Sequence, residues 1–326
     1  MGGGGKLERG KSSYSLLIIA LVMVFFLFGC QEDIKENTLK VGILPNEEVL
    51  PLYVAEEEGF FEKHDVNIEI VNFQSAAERD AALQAGAVDG VEGDLLAVAL
   101  IRQGGTPVKA VSLVMGATVD EGRFAMMAAP GSDIDVEGLK GKKLAISKNT
   151  IIEYVADQMI MIKGMDPKEV QKVNIAKMPL RVENLLQGQI DAAVLPDPLA
   201  SYAELKGAKV LVDDTKLSEN ISQSVYFFSD DAIKNKKTAI QKFMQAYSEG
   251  AQTVTENPER YRNLFKEKIQ IPVELQETYP VPSFSPLQLP SREDTQRVID
   301  WLKDNELLTE PYTYEDIVTD EIIKSI

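Results

Sequence analysis

Residue types that carry out nucleophilic or imidazole chemistry are scarce in this chain of 326 residues, which has one histidine, His64, and one cysteine, Cys30. His64 follows Phe-Phe-Glu-Lys in a polar turn, and we interpret it as a surface residue. Hydrolytic triads and histidine-rich zinc sites need positioned histidines, and a thiolate metal cluster needs several cysteines. Carboxyl groups are abundant, so pairs that could act as general acid and base are expected by chance. The sequence therefore predicts no catalytic residue, no metal site and no cofactor.

The first thirty residues have the features of an export signal. A basic start, with Lys6, Arg9 and Lys11, precedes an unbroken apolar run over residues 16–28. That run is shorter than the roughly 20 residues that span a bilayer, which favours a signal peptide over residues 1–29. Its end, Leu-Phe-Gly-Cys at 27–30, resembles the lipobox of bacterial lipoproteins, in which the cysteine receives the lipid. An ordinary signal peptide beside a lone thiol is the alternative.

The signal peptide and the lipobox predict where the protein lies in the cell. We expect a lipid on Cys30 and a polar, acidic tether over residues 30–37. The protein would then lie in the cell envelope, held on the outer face of the cytoplasmic membrane or in the periplasm. The formal net charge of −17 disfavours nucleic acid and anionic lipid headgroups as partners, because such a surface repels both.

The order of strands and helices predicts an α/β protein with two domains. Short β-branched runs alternate with amphipathic stretches throughout. Strands are predicted at 39–44, 66–71, 87–91, 107–113 and 124–129, and a second unit has strands at 143–147, 172–175 and 190–195 with helices at 151–163 and 181–187. One crossing is placed near Pro130-Gly131 and the return crossing at the strand 224–228. The predicted domains are 38–125 with 226–326, completed by helices at 234–257, 258–267 and 292–305, and 126–225.

An internal similarity supports two alike halves. Residues 83–97 and 186–200 share a helix end, a buried strand, an aspartate and a new helix once one position is skipped. Asp94 and Asp197 take matching places at the carboxyl ends of strands, where open α/β sheets bind ligands. Both aspartates are also good helix N-caps, and chance similarity of two β-turn-α units is a further alternative. Two such domains facing each other would form a cleft with loops on both sides.

Four segments together resemble a known family. They are L-P-L-Y-V-A-E-E-E-G-F-F-E-K-H-D-V-N-I-E-I-V at 50–71, A-L-Q-A-G-A-V-D-G-V-E-G-D at 82–94, L-K-G-K-K-L-A-I-S at 139–147 and L-L-Q-G-Q-I-D-A-A-V-L-P-D-P-L-A at 185–200. They are similar to segments of the solute-binding proteins of taurine, alkanesulfonate, nitrate and thiamine-precursor importers. The resemblance covers residues 39–318. It implies a type II periplasmic-binding-protein fold, with two α/β domains, two interdomain crossings and a central ligand cleft.

The same resemblance implies which residues contact the solute. The family's binding loops correspond to loops that follow strands in this chain, and Arg123 and Tyr226 at the crossings could line the cleft floor. The ligand-binding residues implied are Asn46, Glu47, Glu92, Asp94, Arg123, Asn149, Thr150, Asp197 and Tyr226. A structural alternative exists for Thr150, because Thr150-x-x-Glu153 has the spacing of a capping box.

Charge guides the choice of solute. Carboxylates crowd the predicted cleft loops at Glu47, Glu48, Glu92, Asp94, Glu153 and Asp197, and only Lys148 and Arg123 oppose them. A buried carboxylate facing an anion is unfavourable, because repulsion adds to desolvation. We therefore expect a small neutral or cationic solute, such as a thiamine precursor or another heterocycle; an aliphatic sulfonate, taurine or nitrate is the alternative. The resemblance implies a monomer that delivers its solute to an ABC permease and its ATPase; a non-transport ligand-sensing lipoprotein and a pyrimidine-synthase-like enzyme are the rival classes.

Overall fold

The computed structural model describes residues 1–3 and 37–326. The predicted signal peptide, the lipidation site Cys30 and nearly all of the predicted tether lie outside the described residues. Within the described part of the chain, no helix has both the length and the apolar character needed to cross a membrane.

The described residues form ten strands. In chain order they are β1 (Thr38–Ile43), β2 (Asn67–Asn72), β3 (Gly90–Gly93), β4 (Val108–Met115), β5 (Phe124–Ala128), β6 (Lys143–Ile146), β7 (Gln171–Asn174), β8 (Ala192–Pro196), β9 (Lys209–Asp213) and β10 (Ser224–Ser229).

Twelve α-helices are described alongside them. They are α1 (Leu50–Glu57), α2 (Phe60–Lys63), α3 (Ala76–Gln84), α4 (Leu95–Gln103), α5 (Ile151–Ile162), α6 (Met178–Leu186), α7 (Leu199–Leu205), α8 (Asp230–Asn235), α9 (Lys237–Glu256), α10 (Arg262–Lys268), α11 (Arg292–Asp304) and α12 (Tyr314–Ile317). Short 3-10 turns lie at Glu47–Val49, Glu137–Leu139, Pro167–Glu169, Asp214–Lys216, Pro258–Tyr261, Val273–Leu275 and Ile323–Ser325.

The strands form two five-stranded sheets of the same topology. Their orders are β2-β1-β3-β10-β4 and β7-β6-β8-β5-β9. Four strands of each sheet run in the same direction, and the fourth in the order runs antiparallel to both its neighbours: β10 between β3 and β4, and β5 between β8 and β9. We call each sheet with the helices packed on it a lobe, the first lobe holding β1. The two passages of chain between sheets lead directly into β5 and β10.

The passages lie slightly earlier than the sequence predicts. Strand β5 pairs along its whole length with β8, so the chain leaves the first sheet within residues 116–123 and not near Pro130-Gly131. It returns within residues 214–223. Positive φ angles at Gly116 and Gly122, 97° and 72°, turn the backbone at the first passage. The proposed domain limits after residues 125 and 225 each fall inside a strand, so we propose domain limits within the two passages instead.

The internal similarity is structural as well as sequential. Helices α3 and α6 each end at a glycine of positive φ, Gly86 at 68° and Gly188 at 66°. Beyond each glycine an aspartate binds the start of the neighbouring strand: Asp89 Oδ2 accepts from the Lys40 amide, and Asp191 Oδ2 from the Lys143 amide, both at 2.8 Å. Both lobes thus bring a helix N-terminus and a strand end to the same relative place.

The first lobe is built around helix α9. Its apolar residues recur at helical spacing and face α1 and the first sheet. The Phe243 ring also stacks on Phe61 of α2, with centroids 6.1 Å apart. The two helices approach closely at Gly250, where an added Cβ would lie 2.3 Å from the Pro51 carbonyl oxygen. This packing fixes α1 and therefore the 44–48 loop that precedes it.

Candidate functional site

A cavity of about 70 Å³ lies between the two lobes, at the carboxyl ends of the parallel strands. A single water needs about 10–15 Å³ by the same measure, so the space suits a few waters or a small solute. The first lobe supplies the 44–48 loop, the start of α3 and the end of β3; the second lobe supplies the start of α5, the 176–181 segment and the end of β8. Both passages between the sheets also contribute to the wall.

Seven of the nine predicted residues line this cavity: Asn46, Glu47, Glu92, Asp94, Arg123, Thr150 and Asp197. Asn149 does not: it is exposed, and its backbone has a positive φ of 58°. Tyr226 is fully buried in the first lobe, with its ring edge-on to Phe243 and Tyr247 at 5.1 and 5.0 Å. Asn149 and Tyr226 therefore do not line this cavity, in contrast to the other seven predicted residues.

Asp94 and Thr150 both act as helix caps, as the structural alternatives predicted, but the partner of Glu153 differs from that of a capping box. Asp94 Oδ1 accepts from the Ala97 amide at 2.8 Å, so Asp94 caps α4 while lining the cavity. Thr150 Oγ1 caps α5 by accepting from the Ile152 amide at 3.3 Å. Glu153, however, accepts from the Asn149 amide at 2.7 Å and not from Thr150. Burial raises the pKa of Asp94 to about 6, although the nearby Arg79 opposes the shift.

A cluster of Glu47, Asp197 and Tyr279 joins the lobes across one side of the cavity. The Tyr279 hydroxyl donates to Glu47 Oε2 at 2.6 Å, and its oxygen lies 3.1 Å from Asp197 Oδ2. Asp197 Oδ1 also accepts from the Ser201 amide at 2.8 Å, which holds the start of α7. Burial, and then the charge of Asp197, raise the pKa of Glu47 to about 7. Tyr279 is a site residue that the sequence did not indicate.

Arg123 is surrounded by carboxylates. Its Nε donates to Asp213 at 2.9 Å, Nη1 to Asp197 at 3.3 Å and Nη2 to Glu204 at 3.2 Å. A guanidinium with three anionic partners has little remaining capacity to bind an anionic solute.

Two further arginines line the cavity and were missed in the sequence. Arg79 is 2% exposed, and its Nε donates to Asp80 at 2.9 Å. Arg181 is 0% exposed, and it donates to the carbonyls of residues 175, 194 and 176 at 2.9, 3.1 and 3.2 Å. Burial lowers the pKa of Arg181 to about 10. The repeat offered a signal, because Arg79 and Arg181 each stand seven residues before the glycine that ends the equivalent helix, Gly86 or Gly188.

On the first-lobe side of the cavity, two acceptor atoms have no hydrogen-bond partner among the described residues. Asn46 Nδ2 donates to Glu48 Oε2 at 3.0 Å, which leaves Asn46 Oδ1 without a donor among the described residues. Glu92 is 2% exposed, and its Oε2 also has no hydrogen-bond partner in the described part of the chain. Burial, and then the neighbouring Glu92, raise the pKa of Glu48 well above its usual value. Residues 1–3 and 37–326 contain no group of three or more His, Cys, Asp or Glu side chains placed to hold a metal ion.

Comparisons with known proteins agree with this architecture. Residues 46–261 match the family described as NMT1/THI5 like. A Brachyspira hyodysenteriae protein named as an ABC transporter periplasmic binding protein is 26% identical over 265 residues, which cover 74% of this chain and 75% of that protein. A Bacillus subtilis protein named as an aliphatic sulfonates-binding protein is 26% identical over 212 residues, 60% of this chain and 61% of that protein.

A solved structure shares the fold. The alkanesulfonate-binding protein of Xanthomonas axonopodis pv. citri, bound to MOPS, aligns with a TM-score of 0.74 and 17% sequence identity, over 86% of this chain and 98% of that chain. The predicted type II periplasmic-binding-protein fold is thereby confirmed.

Proposed function

The chain belongs to the NMT1/THI5-like family, and from this membership we propose that it is the extracytoplasmic solute-binding component of an ABC importer. The observation that carries the proposal is the cavity itself, which two lobes of the same topology enclose from opposite sides. A solute that contacts both lobes binds the closed arrangement better than the open one and shifts the population toward it. The closed form would then dock on a permease and, through it, engage an ATPase. We further propose a lipid at Cys30 as the membrane anchor.

The solute that we propose is small and neutral or cationic, such as a pyrimidine or another heterocycle. Support comes from Arg123, which three carboxylates already engage, and from the acceptor atoms of Asn46 and Glu92 that lack donors in the described residues. Placing an anion beside these carboxyl groups would add repulsion to the cost of desolvation.

An aliphatic sulfonate is the second candidate. Arg79 and Arg181 both line the cavity, and Arg181 meets backbone carbonyls in each of its described hydrogen bonds. Relatives with sulfonate-binding names point the same way. We rank this candidate lower because both guanidinium groups are deeply buried, Arg181 is engaged by three carbonyls and Arg79 pairs with Asp80; Arg79 Nη2 is the one buried nitrogen of the two groups that lacks a hydrogen-bond partner in the described residues.

A thermal-shift screen of residues 31–326 tests the proposal. The panel holds hydroxymethylpyrimidines, thiamine, riboflavin, polyamines, taurine, alkanesulfonates and nitrate. A ligand at about 100 times its Kd stabilises the folded state by about 2.7 kcal/mol, which moves Tm measurably. A heterocycle or amine hit supports the proposal in full, and a sulfonate hit keeps the binding function while replacing the solute class. A screen without any hit counts against solute binding.

A further inference from the structure

We propose that the solute presents an ammonium or amidinium group to Glu92 and Asn46 of the first lobe. This inference rests on the proposed solute-binding function and specifies the chemistry of its site.

Two hydrogen-bond acceptors of residues that line the cavity lack donors in the described part of the chain. Because Asn46 uses its amide nitrogen toward Glu48, the oxygen of the same amide is left as an acceptor. Glu92 Oε2 is an acceptor as well, on a side chain that is 2% exposed and lines the cavity. A buried acceptor without a donor carries the full cost of its lost hydration. Both free atoms therefore call for a ligand that donates hydrogen bonds.

The charges of the cavity wall also favour a cation. Its three cationic side chains are already engaged: Arg123 pairs with three carboxylates, Arg79 with Asp80, and Arg181 with three carbonyls. Arg79 Nη2, 2.8 Å from Asp80 Oδ1, still makes no aligned hydrogen bond in the described part of the chain. Burial raises the pKa of Glu48 well above its usual value, and the neighbouring carboxyl of Glu92 adds to the shift. A cationic donor placed beside these two carboxyls relieves their repulsion.

The side chains around Glu48 and Glu92 are mostly acidic or neutral. The titratable and charged side chains that act on the two carboxyls from surrounding elements are Glu47, Arg79, Asp94, Tyr226 and Tyr247. The pKa values of Tyr226 and Tyr247 are raised well above the usual value by burial, so both hydroxyls stay neutral. Arg79 is the one cation of this set, and Asp80 binds it. A cationic group of the solute is thus favoured beside the two carboxyls.

Isosteric triplets test the charge preference directly. Acetamidinium, acetamide and acetate share one shape and differ in charge, as do guanidinium, urea and nitrate. We expect the cation of each triplet, at millimolar concentration, to raise Tm and to give a measurable heat by calorimetry, the neutral member to do so less, and the anion not at all. Stronger binding of acetate or nitrate than of the matching cation would overturn the inference.

Removal of the Glu92 charge is the second test. Glu92→Gln keeps the shape but removes the charge, so it should weaken cation binding by about tenfold or more. Glu69→Gln removes a carboxylate from the exposed Lys40 ion pair of the same lobe and should leave cation binding unchanged.

The outcomes separate the two proposals. An anionic hit in the ligand screen, with triplets that rank in the reverse order, overturns the ammonium site and leaves solute binding intact. Cation binding that survives Glu92→Gln with unchanged affinity also overturns it. Absence of binding in both the screen and the triplets counts against solute binding itself.

Discussion

At the scale of single residues, one hydroxyl group bridges the two lobes beside the cavity. Tyr279 comes from the segment after α10, yet it meets Glu47 of the first lobe and Asp197 of the second. A phenol has one proton to donate, so it cannot satisfy two ionised carboxylates at once. The contact is therefore strongest when one of the two carboxyls is protonated, and the raised pKa of both groups is consistent with that arrangement.

Removing the hydroxyl should favour the open state. In Tyr279→Phe the ring still fills its buried place, but the bridge between lobes is lost. We expect ligand Kd to rise by about tenfold, equivalent to about 1.4 kcal/mol, because the closed state loses a hydrogen bond to a buried carboxyl. Tyr261→Phe is the matched control: its hydroxyl donates to Glu58 at 2.8 Å within the first lobe. That variant should lower Tm and leave Kd unchanged; equal effects of both variants on Kd would refute a bridging role.

The pKa of Glu47 also predicts how stability depends on pH. Its folded pKa of about 7 lies above the ordinary value of 4.5, so the folded state binds the proton more tightly than the unfolded chain. This contribution to stability is complete below pH 4.5 and is lost as the pH rises through 7. We expect the free energy of unfolding of the empty protein to fall by as much as about 3 kcal/mol from this group between pH 5 and pH 8. Urea titrations of the wild-type protein and of Glu47→Gln measure it; a variant with the same slope would exclude Glu47 as the cause.

At the scale of elements, local signals located most strands and the cavity loops, and they did not reveal long-range contacts. Alternation of β-branched runs and amphipathic helices located β1, β2 and α5 to within a residue or two. Strand β9 was missed because it is a short, half-buried edge strand. One predicted helix at 234–257 is two, α8 and α9, separated at Lys236.

The site residues show the same difference between local patterns and long-range contacts. Asp94 and Asp197 were found because each stands between a strand and a helix, which is a local pattern. Tyr279 was not found, because its contact with Glu47 spans 232 residues and leaves no local trace. The exposure of Asn149 depends on its backbone conformation, and the burial of Tyr226 depends on strand register. Spacing in the sequence reveals neither.

Close packing of α9 on α1 gives the element-scale prediction. Replacing a helical glycine by alanine normally stabilises a helix by about 1 kcal/mol. At Gly250 the new Cβ would meet the Pro51 carbonyl oxygen at 2.3 Å, and backbone cannot rotate aside as a side chain can. We expect Gly250→Ala to destabilise the protein by about 1–3 kcal/mol in urea unfolding. Ser248→Ala, on the same helix and only partly buried, should be neutral or slightly stabilising; a Gly250→Ala variant as stable as wild type would show that the helices can separate freely.

At the scale of the whole molecule, helix α11 contacts both lobes. It packs on α4 of the first lobe, and its Trp301 reaches α5 of the second, where Nε1 donates to Asp157 Oδ2 at 3.1 Å and the indole meets Tyr154 edge-on at 5.6 Å. Trp301 is 5% exposed, and the chain has one tryptophan. Trp301 itself lies far along the chain from the cavity loops, yet its contact with α5 depends on the relative position of the lobes.

Trp301 should therefore report lobe closure without any label. If the second lobe swings away in the empty protein, the indole loses Asp157 and Tyr154 and gains water, which shifts its emission to longer wavelength. A ligand that closes the cleft should shift the emission back toward shorter wavelength and reduce quenching by iodide, with the same midpoint as calorimetric binding. Asp157→Asn keeps the acceptor and should preserve the response, whereas Tyr154→Leu should diminish it, because the edge-on ring is lost. Binding without any change in emission would mean that α11 moves together with the second lobe, and the hinge would then lie between α11 and α4.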